Sequence, residues 1–151
     1  MLFRSEKKMA QSEVTMEVAV DLKMVNCPIE VLVEKCQQWG RDRLIIQNGR
    51  LDTQALKLCE EASETLLAAR KLYKLQQEAV DHTGVTAQRD DQSKMYLEEL
   101  ADGIGDTIVV LAQLCAMTGL DMRTCLQGAY DTIKDRKGFL NADGVFVKEM
   151  T

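Results

Sequence analysis

Two long segments with helical periodicity, each carrying a cluster of acids, most constrain what this chain can fold into. Apolar residues recur at helical spacing from about Asp52 to Ala79 and again from about Gln92 to Gly119. Side chains three or four positions apart share one face of a helix, so the acids within each segment point the same way. Like charges crowded in this manner repel one another unless a cation lies between them. The two acidic clusters are Glu60, Glu61 and Glu64, and Glu99, Asp102 and Asp106.

Composition supports a single helical domain. The chain has 151 residues, of which 46% are apolar and only 5% aromatic, with one proline. A β-sandwich or barrel draws on aromatic and β-branched residues, so these values favour helices. The net charge of −5 argues against a nucleic-acid-binding protein, because such domains are usually basic. The five cysteines are odd in number and form no C-x-x-C pair, which indicates a reducing compartment.

Helix-capping and turn residues predict an antiparallel bundle of about four main helices, an all-α fold. The first helix begins near Pro28, and a turn at residues 47–50 precedes the second helix, which begins at Asp52 or Thr53. Residues 81–92 read as a polar loop, and the third helix then begins near residue 92 and ends at Gly119. Asp121 caps a fourth helix, and Asp143-Gly144 predicts a short C-terminal hairpin. Residues 1–25 form an irregular arm, and residues 26–151 form the domain.

The apolar pattern also predicts which helix faces are buried. In the second helix, one stripe lies roughly opposite the acids, yet further apolar residues flank the acids themselves. This helix is therefore expected to be buried on two sides. The fourth helix is expected to turn its own apolar residues inward. The stripe of the second helix is Ala55, Leu58, Ala62, Leu66, Ala69 and Tyr73, and the inward set of the fourth is Met122, Cys125, Leu126, Ala129, Tyr130 and Ile133.

Carboxylates flanked by apolar residues predict a metal site. Buried acids are costly unless they are paired or bind a metal, and Mg²⁺ prefers carboxylate oxygens together with substrate phosphates. Other metal sites are excluded by residue type. A di-iron bundle needs Glu-x-x-His pairs, but the single histidine, His82, lies in the polar loop. Neither an acidic EF-hand loop nor a Cys/His zinc pattern occurs, and no Walker A or G-x-G-x-x-G sequence is present.

Several other residues admit both a structural and a binding interpretation. Trp39 is either a core residue or a base-stacking wall of a pocket. The basic residues that follow the fourth helix either complement its dipole or contact a triphosphate. These are Lys134, Arg136 and Lys137. Lys57 lies one turn before Glu60 and is expected in solvent or in an ion pair with an acid.

The ordered motifs resemble a known enzyme family. The segments WGRDRLIIQNG and LKLCEEASE, then LADGIGDTIVVLAQL, and finally AYDTIKDRKG resemble the E-x-x-E…E-x-x-D signature of MazG-like, all-α nucleoside triphosphate pyrophosphohydrolases. The resemblance runs from about Ile29 to Lys148 and is closest to short single-domain members of the phage and bacterial type. One departure is clear, since Gly103 stands three residues before Asp106, where the motif has a glutamate.

The resemblance implies an activity and a set of residues. Members hydrolyse (deoxy)nucleoside triphosphates to the monophosphate and pyrophosphate with Mg²⁺, for which Mn²⁺ can substitute, and they assemble as homodimers or homotetramers. By position, Glu61 and Glu64 are metal ligands, and Glu60 is a further ligand or orients the attacking water. Either the pair Glu99 and Asp102 or the pair Asp102 and Asp106 completes the metal site. The candidate substrate contacts are Lys134, Arg136, Lys137, Trp39 and Lys57.

Two rival functions remain open at this point. One is a related pyrophosphohydrolase, of the dUTPase or phosphoribosyl-ATP type. The other is a non-catalytic helical interaction module whose acids serve solubility or bind a partner. In each case a cytoplasmic protein is expected, because the first residues lack a signal-peptide pattern and no segment approaches the roughly 18 apolar residues of a membrane span. No nucleic-acid or membrane partner is expected.

Overall fold

A computed structural model of the chain describes residues 26–81 and 87–149. The predicted N-terminal arm and residues 82–86 of the predicted loop lie outside the described residues. Within them the protein is all-α apart from one small hairpin. The elements in chain order are α1 (Ile29–Asp42), α2 (Ile45–Asn48), α3 (Leu51–Asp81), α4 (Ala87–Thr118), α5 (Met122–Ile133), β1 (Gly138–Leu140) and β2 (Phe146–Lys148).

Helices α3 and α4 form a long antiparallel hairpin that is the centre of the fold. Contacts along it pair early residues of α3 with late residues of α4. Near the middle of both helices, Thr65 meets Gly103. Further along, Lys71 pairs with Glu99, and the guanidinium of Arg89 donates to the carbonyl oxygen of Glu78. With 31 residues, α3 is about 46 Å long, so the hairpin spans the whole domain.

A glycine sets the distance between these two helices. A Cβ added at Gly103 would lie 3.2 Å from both the Cα and the backbone N of Thr65 and 2.7 Å from its Oγ1. The absence of a side chain therefore lets the two backbones approach. Gly105, two residues later, would meet nothing within 4 Å.

Helix α1 packs on the C-terminal half of α4 around a buried amide. The Nε2 of Gln113 donates to the carbonyl oxygen of Cys36 at 2.7 Å, and the Nε2 of Gln37 donates to that of Ala112 at 3.3 Å. Gln113 is 2% exposed and fills the space beside Gly40, where a Cβ would overlap its Oε1. These polar contacts fix the register of α1 against α4, because a buried amide is costly to leave unpaired.

The C-terminal part follows the predicted caps. Gly119, at φ +71°, ends α4, and the amide of Leu120 donates back to the carbonyl oxygen of Cys115 at 3.0 Å, as in a Schellman motif. The side chain of Asp121 then caps α5 by accepting from the amide of Thr124 at 2.8 Å. The hairpin pairs Phe139 with Val147 in antiparallel register. The caps at Gly119 and Asp121 and the hairpin are therefore confirmed.

Four sequence predictions about element boundaries and faces are wrong. Residues 45–48 form the short helix α2 rather than only a turn, and α4 begins at Ala87, five residues before the predicted start. The stripe of α3 opposite the acids is mostly exposed, with Leu66 56% and Tyr73 63% accessible. The face of α3 that packs on α4 is instead the acid-bearing side, through Glu61, Ala68, Leu72 and Leu75.

The fourth of these errors is in α5, whose predicted inward face is exposed apart from half-buried Met122. Among the side chains that the structure describes, only six apolar ones form the buried core. Both observations follow from the packing within the described chain, where α3 has α4 as its main neighbour and α5 packs only lightly on α4. An apolar stripe on the far side of such a pair has nothing within the described chain to cover it.

Helix α4 also meets the length and hydropathy limits of a membrane span. Its stretch Arg89–Thr118 contains an 18-residue window of mean hydropathy 1.5, of which 28% is buried. This corrects the expectation that no segment approaches such a span. Within the described chain, α4 is also the helix on which α1 and α3 both pack.

The contrast between Gly103 and Gly105 gives a matched test of the hairpin. Gly105→Ala should raise the free energy of unfolding by roughly 0.5–1 kcal/mol, because alanine is the better helix former and space is open. Gly103→Ala should lower it by about 1 kcal/mol or more, because the new methyl group forces α3 and α4 apart. Urea denaturation followed by circular dichroism measures both. Equal stabilisation by the two variants would contradict the close approach at Thr65.

Candidate functional site

A groove between α3 and α4 collects acids from both helices. Its volume is about 250 Å³, and it lies beside the point where Gly103 lets the helices approach. Three of the six predicted acids line it, and they come from both clusters. The lining residues are Glu64, Leu67, Ala68, Lys71, Glu99, Asp102 and Gly103. We refer to this cavity as the α3–α4 groove.

Buried Glu61 is held by a lysine. Its side chain is 8% exposed, and the Nζ of Lys57 lies 2.7 Å from its Oε1 and 3.1 Å from the Oε1 of Glu60. Hydrogen bonds to these two carboxylates raise the pKa of the Lys57 ammonium well above its ordinary value. The expectation of an ion pair for Lys57 is therefore confirmed. The pair removes the cost that an isolated carboxylate would incur at this depth.

Asp106 adds a further carboxylate close to this cluster. Partial burial raises the pKa of its carboxyl group above the ordinary value, and the carboxylates of Asp102 and Glu61 raise it further. Lys57 acts in the opposite direction. These influences place acids of both clusters within electrostatic range of one another.

A second lysine holds Glu99 within the groove. The Nζ of Lys71 donates to the Oε2 of Glu99 at 2.7 Å and lies 5.6 Å from the ring centre of Tyr96. The hydrogen bond to Glu99 raises the pKa of the Lys71 ammonium. Sequence reasoning missed Lys71, although it lies seven residues after Glu64 and so shares its helix face. That spacing is the signal that could have identified it.

The carboxylates approach one another but do not form a closed metal cage. Among residues 26–81 and 87–149, no three Asp, Glu, Cys or His side chains converge closely enough to hold a metal ion. Three of the six acids are paired with lysine ammonium groups, Glu61 and Glu99 at 2.7 Å and Glu60 at 3.1 Å. The arrangement thus provides hard oxygen donors around a groove, with part of their charge neutralised by the chain's own cations.

The remaining predicted substrate contacts lie on other elements and do not line the groove. Trp39 is on α1, is 44% exposed and has the guanidinium of Arg43 4.3 Å from its ring centre. Lys134 follows α5 and pairs with Asp131 at 3.0 Å. Arg136 and Lys137 are exposed between α5 and β1. Within the described chain these side chains therefore belong to surfaces separate from the acids.

The resemblance to a known enzyme family rests on the sequence motifs, because comparison with known proteins found no match. No protein-family model matches the chain, and no curated protein or solved structure matches it either.

The buried pair of Lys57 and Glu61 gives a stability test of the site. Lys57→Met should lower the free energy of unfolding by roughly 1–3 kcal/mol, because it leaves a carboxylate buried without its partner. Adding Glu61→Gln to that variant should recover part of the loss, since the buried group is then neutral. Thermal melts of the wild type, both single variants and the double variant form the cycle. Strict additivity of the two substitutions would show that the pair is not coupled.

Proposed function

We propose that the protein is a Mg²⁺-dependent nucleoside triphosphate pyrophosphohydrolase that converts (deoxy)nucleoside triphosphates to the monophosphate and pyrophosphate. The observation that carries the proposal is that Glu64, Glu99 and Asp102, from two acidic clusters on separate helices, line one groove. The order and spacing of the motifs along the chain support the same activity.

The donor chemistry of the site suits a hard divalent cation. All six candidate ligands are carboxylates, which Mg²⁺ and Mn²⁺ prefer to nitrogen or sulfur donors. In the proposal, Glu61, Glu64 and Asp102 hold the ion together with Asp106 or Glu99. The lysines that now neutralise Glu61 and Glu99 would be replaced there by the metal. Desolvation raises the pKa of Asp106 most, and the carboxylates of Asp102 and Glu61 raise it further; a cation would relieve this second, repulsive contribution.

The chain's own residues would then orient water and substrate. When bound, the metal would neutralise phosphate charge and lower the pKa of the attacking water. The carboxylate of Glu60, which is largely exposed, would accept a proton from that water as it attacks the α-phosphorus. Pyrophosphate would leave from the same phosphorus. The cations at Lys134, Arg136 and Lys137 would reach the phosphates from a neighbouring subunit, since they do not line this groove.

Activity with defined substrates tests the proposal. The purified chain should convert at least one dNTP to the monophosphate and pyrophosphate when Mg²⁺ is present, as resolved by anion-exchange chromatography. Glu64→Gln and Asp102→Asn should each lower kcat by on the order of 100-fold, because each removes charge from the groove. Glu98→Gln is the matched control, since Glu98 is exposed on α4 beside Glu99. Orthophosphate release, or equal loss in the control, would contradict the assignment.

A non-catalytic helical module is the second candidate, and one observation favours it. In the part of the chain that the structure describes, no three donor side chains converge as a metal site would need. Calorimetric titration with Mg²⁺ and Mn²⁺ distinguishes the two candidates. Saturable binding that Asp102→Asn weakens supports the enzyme, whereas no saturable binding supports the interaction module.

We further propose that the protein acts as a homodimer or homotetramer in which a second copy covers the outer stripe of α3 up to Leu66. Leu66 is more than half exposed, although the stripe repeats apolar residues along the helix. Apolar surface of this continuity on a small chain is typical of a subunit interface. A second copy is the occupant proposed because the motifs resemble those of an oligomeric family.

Light scattering tests the assembly directly. The wild type should have a mass of at least twice the 17.0 kDa of one chain. Leu66→Asp should reduce that mass by half or more, because it buries a charge in the proposed interface. Leu44→Asp is the matched control, since Leu44 is 55% exposed against 56% for Leu66 and its φ of 60° suits aspartate. A wild type that is monomeric at micromolar concentration would refute the proposal.

A further inference from the structure

A second cavity continues the α3–α4 groove along the outer side of α3. Its volume is about 470 Å³, and its lining contains three cations and no acid. It shares Leu67 and Lys71 with the groove, so the two cavities adjoin. The lining residues are Leu67, Arg70, Lys71, Tyr73 and Lys74. We refer to it as the basic cavity.

Charge changes sign along one face of α3. Glu60, Glu64, Leu67, Lys71 and Lys74 follow one another at intervals of four, three, four and three residues. This spacing places all five on one helix face. The acids come first, and the lysines follow about 10 Å further along the axis, since each residue rises 1.5 Å. Helix side chains lean toward the N-terminus, so the lysines lean toward the acids.

The cations of the basic cavity are only partly neutralised. Lys71 is paired with Glu99, as described above. Lys74 lies 3.9 Å from Glu78, and its side chain is 80% exposed, so water screens that pair strongly. Arg70 is exposed and forms no hydrogen bond or ion pair with any residue in the described ranges. The cavity therefore keeps a net positive charge beside an acidic groove.

We propose that the basic cavity binds the diphosphate end of a polyphosphate, with Arg70 and Lys74 as the main contacts and Lys71 at the junction with the groove. A guanidinium donates two parallel hydrogen bonds to phosphate oxygens, and an ammonium adds a point charge. The proposal rests on the proposed function for the identity of the whole substrate. It requires only the described side chains for diphosphate binding.

The neighbouring acids favour a short polyphosphate over a nucleic acid. A nucleic acid carries negative charge along its whole length and would meet the carboxylates of the groove. A polyphosphate that carries a divalent cation at one end presents the opposite pattern, with positive charge toward the acids and uncompensated phosphate toward the lysines. The net charge of −5 over the whole chain also disfavours a long polyanion.

Calorimetric titration of the full chain with inorganic pyrophosphate and Mg²⁺ tests this subsite without requiring catalysis. The wild type should bind pyrophosphate saturably. The double variant Arg70→Gln with Lys74→Gln should bind it about tenfold or more weakly, because two charged contacts are lost. Lys35→Gln is the control, since Lys35 is an exposed lysine on α1. Arg70 and Lys74 both lie on the surface, and circular dichroism checks that the helices of the double variant remain folded.

The outcomes separate the subsite from the proposed function. Absence of saturable binding, or equal weakening by Lys35→Gln, overturns the subsite. If the wild type hydrolyses a dNTP and the double variant keeps its KM and its inhibition by pyrophosphate, the subsite is wrong and the enzyme assignment stands. If no dNTP is hydrolysed but pyrophosphate binding falls in the double variant alone, the subsite stands and the enzyme assignment fails. If the protein binds a single-stranded oligonucleotide more tightly than pyrophosphate, the proposed diphosphate subsite is also wrong.

Discussion

The close approach of α3 and α4 at Thr65 and Gly103 is the constraint on which the rest of the structure depends. Because Gly103 has no side chain, the two backbones come near enough for the acid-bearing face of α3 to pack directly on α4. That contact buries Glu61 and leaves the α3–α4 groove beside it, with acids of both helices along its walls. The departure from the resembled motif, glycine in place of glutamate, is thus the feature that sets the geometry of this site. A glutamate at position 103 would face the backbone of Thr65.

Charge balance is the second constraint, and it follows from the first. Packing helices through their acidic faces is unfavourable unless positive charge is supplied. In the described chain that charge comes from Lys57, on the turn before the first cluster, and from Lys71, two turns after Glu64. A divalent cation could take the place of these ammonium groups, and the same lysines would then be free to meet phosphate. In this proposal, one set of lysines maintains the fold without metal and takes part in binding when metal and substrate are present.

The distribution of exposed apolar residues bears on the assembly of the protein into oligomers. With α4 as the neighbour of both α1 and α3, the outer stripe of α3 and the apolar face of α5 remain exposed. The sequence showed correctly that α3 is apolar on nearly all sides. It assigned the inner face to the wrong stripe, because periodicity reveals how many faces are apolar but not which of them meets the same chain. The outer stripe of α3 has leucine and tyrosine at helical spacing and so looks like a core face. The face of α3 that is buried within the chain is less obvious in the sequence, because it also carries Glu61.

The sequence by itself determined the all-α class, the number of long helices, the caps at Gly119 and Asp121, the C-terminal hairpin and the clustering of acids within each helix. These features depend on local periodicity and backbone preference, which neighbouring residues express directly. Tertiary structure alone decided that α4 begins at Ala87 and that residues 45–48 are helical. It also decided that Gly103 marks a helix crossing, that Lys57 and Lys71 neutralise the acids, and that Trp39 and the cations after α5 lie away from the groove. Each of these depends on which helix faces meet across a long separation in sequence, and residue spacing within one helix contains no information about its partner.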